Sequence, residues 1–306
     1  MDLRQLAALT AVADHRSFSA AARAMHTVQS NVSTHVARLE RELGAVLVDR
    51  STGTLTDVGE LVVARARRVH AELEALSADV ASTRGDLAGV VRLGVIGTTG
   101  IWLTPILLRA INERHPKVRL VVVDATTTSL IPQLAAGELD LAVVNLPATH
   151  PDVAVTLLFE EDHVVVAPVD HPLATRDELD LADLADQPML LEPRGTGFRD
   201  DLEDDATRAG VTLVAAAEVD GMRLLASLAF QGYGAAVLPA SAVQRADDEK
   251  WRAIRLTGTS PRIVGVAIPR RAMLSAPARA VLDAVIEVTS QEAPQRPGLR
   301  APSGGP

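Results

Sequence analysis

The first proline of this 306-residue chain is Pro105, and the texture of the sequence changes abruptly before it, at about residue 88. Residues 1–88 are rich in alanine, and Leu6, Leu9 and Ala13 fall on one helical face, so an all-helical segment is expected there. From Val90 onward, short β-branched runs alternate with helical stretches. Val90–Ile96, Val118–Val123 and Leu139–Asn145 form one set of runs; Met189–Glu192, Val211–Glu218 and Ala235–Leu238 form a second. Such alternation predicts βαβ units with parallel sheets, arranged as two α/β halves. The fold class is therefore α/β with an all-α N-terminal domain, and the chain is long enough for sizeable cores in both. The closing stretch QEAPQRPGLRAPSGGP holds four Pro and three Gly, so residues 292–306 are expected to be a disordered tail.

The net charge of −9 argues at first against a polyanionic partner. Its distribution weakens that argument: residues 1–88 carry ten Arg and eleven Asp or Glu, and the remaining −8 belongs to the α/β region. With no cysteine, disulfides, thiolate metal sites and cysteine nucleophiles are excluded. No secretory signal is read at the start and no run is long and apolar enough to span a membrane, so a cytoplasmic protein without a membrane partner is expected.

Within the helical segment, Ser19–Met25 reads as a short helix, His26–Val28 as a break, and Gln29–Leu43 as a longer helix stopped by Gly44. This is helix-turn-helix spacing. Val32, Val36, Leu39 and Leu43 make one apolar stripe for a core, which leaves Ser30, Asn31, Thr34, Arg38 and Arg41 on the opposite face, with Gln29 at its start. Such side chains can read base edges, and a helix N-terminus attracts phosphate. On spacing alone, a solvated face of an ordinary bundle fits as well.

Residues 2 to about 65 resemble the winged helix-turn-helix domain of LysR-type transcriptional regulators through SFSAAARAM, QSNVS, LERELG, LVDR and LTDVG, in order and near the right spacing. The resemblance implies a DNA-binding domain over residues 1–60, with Gln29, Ser30, Asn31, Ser33, Thr34, Arg38 and Arg50 at the DNA. It also shows departures. Val28 stands where a helix-capping Ser or Thr is usual, with Thr27 as a substitute cap, and Thr34, Ala37 and the STGT wing lack the usual cations. Fewer phosphate contacts imply weak nonspecific affinity and a shallow salt dependence.

Asp57 to about Arg84 is one long amphipathic stretch, opened by Asp57 and Glu60 as a capping pair, and residues 57–88 are expected to form a linker and dimerisation helix. Val62, Val69 and Leu76 share one heptad position and Ala66, Leu73 and Val80 another, a seam that fits a coiled coil or packing on the chain's own core. In the family this helix pairs with that of a second subunit, and tetramers are common. RNA polymerase is a further partner that the resemblance implies.

Ligands of parallel α/β sheets bind beyond the carboxyl ends of the strands, here the loops Gly97–Gly100, Asp124–Ser129, Asn145–Thr149 and Glu192–Arg199. Residues 89–291 resemble the family's effector-binding domain, similar to type 2 periplasmic binding proteins, through VVRLGVIGT, LAAGELDLAVVN, EDHVVVAPVDHPLA and QGYGAAVLPAS. This implies two α/β subdomains with crossings near residues 164–169 and 262–269, and an effector cleft lined by Thr98, Thr99, Thr126, Thr127, Asn145, Arg194, Gly195 and Thr196. Arg194 is read as the counter-ion of an effector carboxylate, or else as a surface partner of Asp200 or Asp201.

Other chemistry finds little support. Gly94, Gly97 and Gly100 have the wrong spacing for a dinucleotide loop, the His residues have no metal-ligand spacing, and no G-x-S-x-G elbow occurs. The EEDH run at Glu160–His163 is read as a surface strand end, and DDLEDD at Asp200–Asp205 as solvated. Seven aromatic residues make no base-stacking platform. The reading is a DNA-binding regulator controlled by a small-molecule effector, with no catalytic residues, metal or resident cofactor. The alternative is a solute-binding protein or enzyme on the same architecture.

Overall fold

The computed structural model describes residues 1–83, 87–243, 249–270 and 273–302. The chain starts with α1 (Leu3–His15), α2 (Phe18–Ala24) and α3 (Gln29–Leu43), followed by a short wing closed by a bridge between Val48 and Leu55. The long α4 (Asp57–Ser82) leads out of this domain. Leu6, Leu9, Val12, Val32, Val36, Leu39, Leu47 and Val63 form its core. Gly44 ends α3 in the left-handed conformation (φ 66°), as the sequence predicts. Leu43 departs from its predicted stripe: it is 42% exposed, at the last residue of the helix. The cap of α4 is Thr56, whose hydroxyl accepts from Gly59 N–H at 3.0 Å, rather than the predicted Asp57.

The α/β region continues with β1 (Gly89–Val95), α5 (Gly97–Arg114), β2 (Val118–Asp124), α6 (Thr127–Ala136), β3 (Leu141–Leu146), β4 (Val153–Glu161) and β5 (His163–Pro168). It then runs through β6 (Glu178–Asp180), β7 (Pro188–Leu191), α7 (Gly197–Arg208), β8 (Val214–Glu218), α8 (Met222–Phe230) and β9 (Ala235–Pro239). The last elements are β10 (Trp251–Thr257), β11 (Arg262–Pro269), α9 (Ala276–Glu292) and β12 (Leu299–Arg300). Two six-stranded sheets result, ordered β12-β4-β11-β3-β1-β2 and β6-β10-β5-β9-β7-β8. In each, one strand lies between two parallel neighbours, β1 between β2 and β3 and β7 between β8 and β9. The two predicted α/β halves are these two subdomains.

The crossings fall earlier than predicted. The runs near 164–169 and 262–269 each lie within a single sheet; the chain passes between sheets at Asp162, and again through residues 258–261. The predicted disordered tail also needs correction. Glu292 ends α9, Ala293 is 1% exposed, Leu299 is 6% exposed, and β12 pairs with β4. Arg300 holds Glu160 at 3.1 Å and also meets Asp162. Counting Pro and Gly could not show that Leu299 and Arg300 have partners 140 residues back. Residues 303–306 of that stretch lie outside the described residues.

Candidate nucleic-acid interface and ligand cleft

On α3 the apolar side chains Val32, Val36 and Leu39 are buried, so Gln29, Ser30, Asn31, Thr34, Arg38 and Arg41 face solvent. The first turn has no side-chain cap: Val28 has nothing to offer, and the Thr27 hydroxyl does not act as a substitute because it accepts from the Asn31 amide at 3.0 Å. First-turn N–H groups of α3 thus keep their capacity for an outside acceptor. Ser33 and Arg50 meet each other, with Arg50 Nη1 donating to Ser33 Oγ at 3.0 Å and Nη2 to Glu40 at 3.1 Å, above the Phe18 ring. Glu40 also accepts from the N–H groups of Leu47 and Val48, at 2.9 and 3.3 Å, and so fixes the wing relative to α3. Gly59 completes this join, since a Cβ there would lie 2.0 Å from the Leu47 carbonyl oxygen.

The predicted seam on α4 is divided. Ala66 is 1% exposed and, with the half-buried Val62, belongs to the N-terminal core, so Ala66 cannot meet a partner. Val69, Leu73, Leu76 and Val80 are exposed, and Val58 and Leu61 extend their stripe toward the wing. One turn away, Arg67 bridges Asp14 and Glu138, while Arg68 donates to the Ala135 carbonyl at 2.8 Å and pairs with Asp152 at 3.0 Å. These two Arg residues tie the reader, the linker and the first subdomain together.

The predicted cleft falls between the carboxyl ends of β1, β2 and β3 in one sheet and those of β7 and β8 in the other. Thr98 and Thr99 are buried in the first turn of α5, and Asn145 N–H donates to Thr127 Oγ1 at 2.9 Å. Thr126 is exposed beside them. On the other side, Gly195 turns with φ 89° and Thr196 Oγ1 donates to the Pro193 carbonyl at 3.0 Å. Arg194 is 71% exposed and reaches Glu203 at 3.5 Å, rather than Asp200 or Asp201. Arg223 of α8 pairs with Asp124 at the end of β2, at 2.7 Å, and so joins the subdomains across the cleft. Gly97 makes room for it: a Cβ there would lie 3.2 Å from Arg223 Cγ.

Several residues at the cleft were not singled out as ligands from the sequence. Arg262 starts β11 with its side chain 10% exposed, and its Nη1 donates to Thr98 Oγ1 at 3.0 Å and to the fully buried Glu161 at 2.6 Å. Glu161 in turn accepts from Ser241 N–H at 3.1 Å. Arg199 is buried on α7, donating to Glu203 at 2.8 Å and to the Glu192 carbonyl at 3.1 Å. His163 is buried against Phe198 and meets Thr259 Oγ1 at 3.2 Å, linking the two crossings; loss of solvent lowers its pKa to about 4. Two surface expectations are corrected here. Glu160, Glu161 and His163 are buried, and so is Asp205 of the acidic run, which accepts from Ser260 N–H at 2.7 Å. In both runs a crossing of the chain covers carboxylates that local charge counting leaves in water.

Among the described residues no group of His, Asp or Glu could hold a metal ion, and no helix is long and apolar enough to cross a membrane. Residues 3–60 match the model of the bacterial regulatory helix-turn-helix proteins of the lysR family, and residues 84–290 match the LysR substrate binding domain. The chain is 37% identical over 245 residues to a probable hydrogen peroxide-inducible genes activator of Streptomyces viridosporus, covering 79% of this chain and 78% of that one. Its fold is similar to a cysteine-substituted full-length OxyR from Pseudomonas aeruginosa, with TM-score 0.78, 26% identity and coverage of 100% and 99%. It is also similar to full-length CbnR complexed with its target DNA, with TM-score 0.69, 25% identity and coverage of 96% and 100%. The chain belongs to the LysR family of DNA-binding transcriptional regulators.

Proposed function

We propose that this regulator reads duplex DNA with Gln29, Ser30, Asn31, Ser33, Thr34, Arg38 and Arg50, as a dimer joined through α4, under control of a small molecule held without covalent chemistry in the cleft. The observation that carries the DNA reading is the uncapped start of α3 beside its solvent-facing polar side chains. One α3 covers about one half-site in a major groove, so a second copy is needed for a two-fold site. The similarity to a peroxide-inducible activator does not bring thiol chemistry with it. Sensing peroxide through a sulfenic acid or a disulfide needs a cysteine, and this chain has none. Response to a bound molecule follows instead from two subdomains joined at Asp162 and residues 258–261, whose closure on a ligand would change how the paired subunits hold their reading helices. A regulator of this kind acts in the cytoplasm, with RNA polymerase as its downstream partner, and needs no cofactor beyond its co-inducer.

Gel-shift with the gene's own upstream DNA tests the reading. Salt-sensitive, sequence-specific binding is expected, and Asn31→Ala with Arg38→Ala should abolish the sequence preference. Equal affinity for random duplex would refute it.

A further inference from the structure

The chain first crosses between its two sheets at Asp162, and the C-terminal segment holds that residue at two points. Asp162 N–H donates to the Gly298 carbonyl at 2.8 Å, and the Asp162 carboxylate pairs with Arg300. The Asp162 carbonyl is bonded elsewhere: it accepts from Ala240 N–H at 2.9 Å, directly after β9 of the second sheet. The residue whose backbone must turn for the subdomains to move is thus tied through its N–H and side chain to the end of the chain. Through its carbonyl it is tied to the second sheet.

The segment that does this is anchored in the first subdomain. Leu299 is buried in that core, β12 pairs with β4, and Arg300 also meets Glu160 at 3.1 Å. Arg296 lies over the Trp102 ring, 4.7 Å from its centroid, and Trp102 packs edge-on against Phe159 of β4. From this anchor the segment reaches the far side of the crossing at Gly298. Its φ of 75° and the 2.7 Å that would separate a Cβ there from Ala240 Cβ admit only glycine. Segment, crossing and end of β9 are therefore in contact with no space between them. The attachment is also separable from the rest of the fold. β12 has two residues and the Arg300 side chain is 42% exposed, so releasing it breaks few bonds and undoes no other strand.

We propose that residues 296–300 are a strap on the hinge: they hold Asp162 in the conformation seen here and set how readily the two subdomains move. Arg300 is the positioning residue of the strap, acting through Asp162. The assignment rests on the hinge reading above and adds the element that restrains the hinge. A ligand that closes the sensor works against the strap, so its strength sets how much ligand is needed.

The test uses the full chain, and the absence of cysteine makes paired spin labels simple to place. Thr128→Cys on α6 and Leu224→Cys on α8 are exposed positions in different subdomains. Labelled chain diluted in unlabelled chain reports the distance between them within one copy. Arg300→Gln should widen the spread of that distance about twofold and speed exchange of the Ala240 N–H, a bond the strap does not make, about tenfold. Exchange in β3, inside the first sheet, should stay unchanged. Gly298→Ala, which pushes the strap off Ala240, should act in the same direction. Asp124→Ala breaks the Arg223 pair across the cleft and gives a reference for subdomain motion that leaves the strap intact. If Asp124→Ala widens the spread and neither strap change does, the strap is overturned and the hinge stands. If none of the three changes moves the distance or the Ala240 exchange, the crossings are rigid and the hinge reading fails with the strap. Equal acceleration in β3 and at Ala240 would mean general loosening of the first subdomain and would also overturn the strap.

Discussion

Glu40 shows how one carboxylate can organise a reading head. It accepts two backbone N–H groups from the start of the wing and one Arg50 donor, which itself reaches Ser33. Glu40→Ala should cost about 2 kcal/mol in denaturant unfolding and lower DNA affinity, whereas Arg50→Ala should lower affinity with little loss of stability. Equal destabilisation by the two changes would show that Glu40 acts only through Arg50. His163 makes a different case, because burial lowers its pKa from 6.5 to about 4. Between those values the unfolded chain binds a proton that the folded chain does not, so stability falls as pH falls across the window, by up to about 3 kcal/mol at its foot. His163→Gln should flatten that slope, and an unchanged slope would place the acid sensitivity elsewhere. At this scale the sequence was informative where a residue's role is local: the missing cap at Val28 is visible in it. It was silent on Arg262 and Glu161, whose pairing spans 101 residues and depends on two strands meeting at a crossing.

At the scale of elements, periodicity located the helices and the alternating strands, and it failed where a partner element decides the outcome. The α4 heptads are real as a pattern, yet Ala66 belongs to the reader's own core while Leu73 and Leu76 are exposed. A pattern cannot say which neighbour covers it. The difference gives two opposite outcomes. Leu73→Glu with Leu76→Glu should leave the fold intact and weaken self-association by about a hundredfold in sedimentation equilibrium, from the lost burial of two Leu side chains. Ala66→Glu should instead unfold the N-terminal domain, by forcing a charge into the buried core where α4 packs against α1. If the double change left association untouched, the stripe on α4 would not be the dimer contact. The same limit explains β12, a strand of two residues with no pattern of its own, made by pairing with β4.

For the molecule as a whole, the charge of −9 is divided between a nearly neutral reader and an acidic sensor, and this division sets how the protein finds DNA. Of the reader's Arg residues, Arg38 and Arg41 lie on the outer face of α3 and the STGT wing has none, so each copy offers few phosphate contacts there. With Arg50, which the proposed reading also places at the DNA, two copies supply about six such contacts, for a slope of about −5 in log K against log salt. Arg67 and Arg68 cannot add to this, because they are committed to Asp14, Glu138 and Asp152. The acidic sensor, held close by those pairs, adds repulsion that low salt exaggerates. Binding to random duplex should therefore be weak, and dimerisation should matter more than electrostatic attraction in reaching a specific site. A salt titration on specific and random duplex measures both, and a slope near −8 would mean that cations beyond Arg38, Arg41 and Arg50 join the contact.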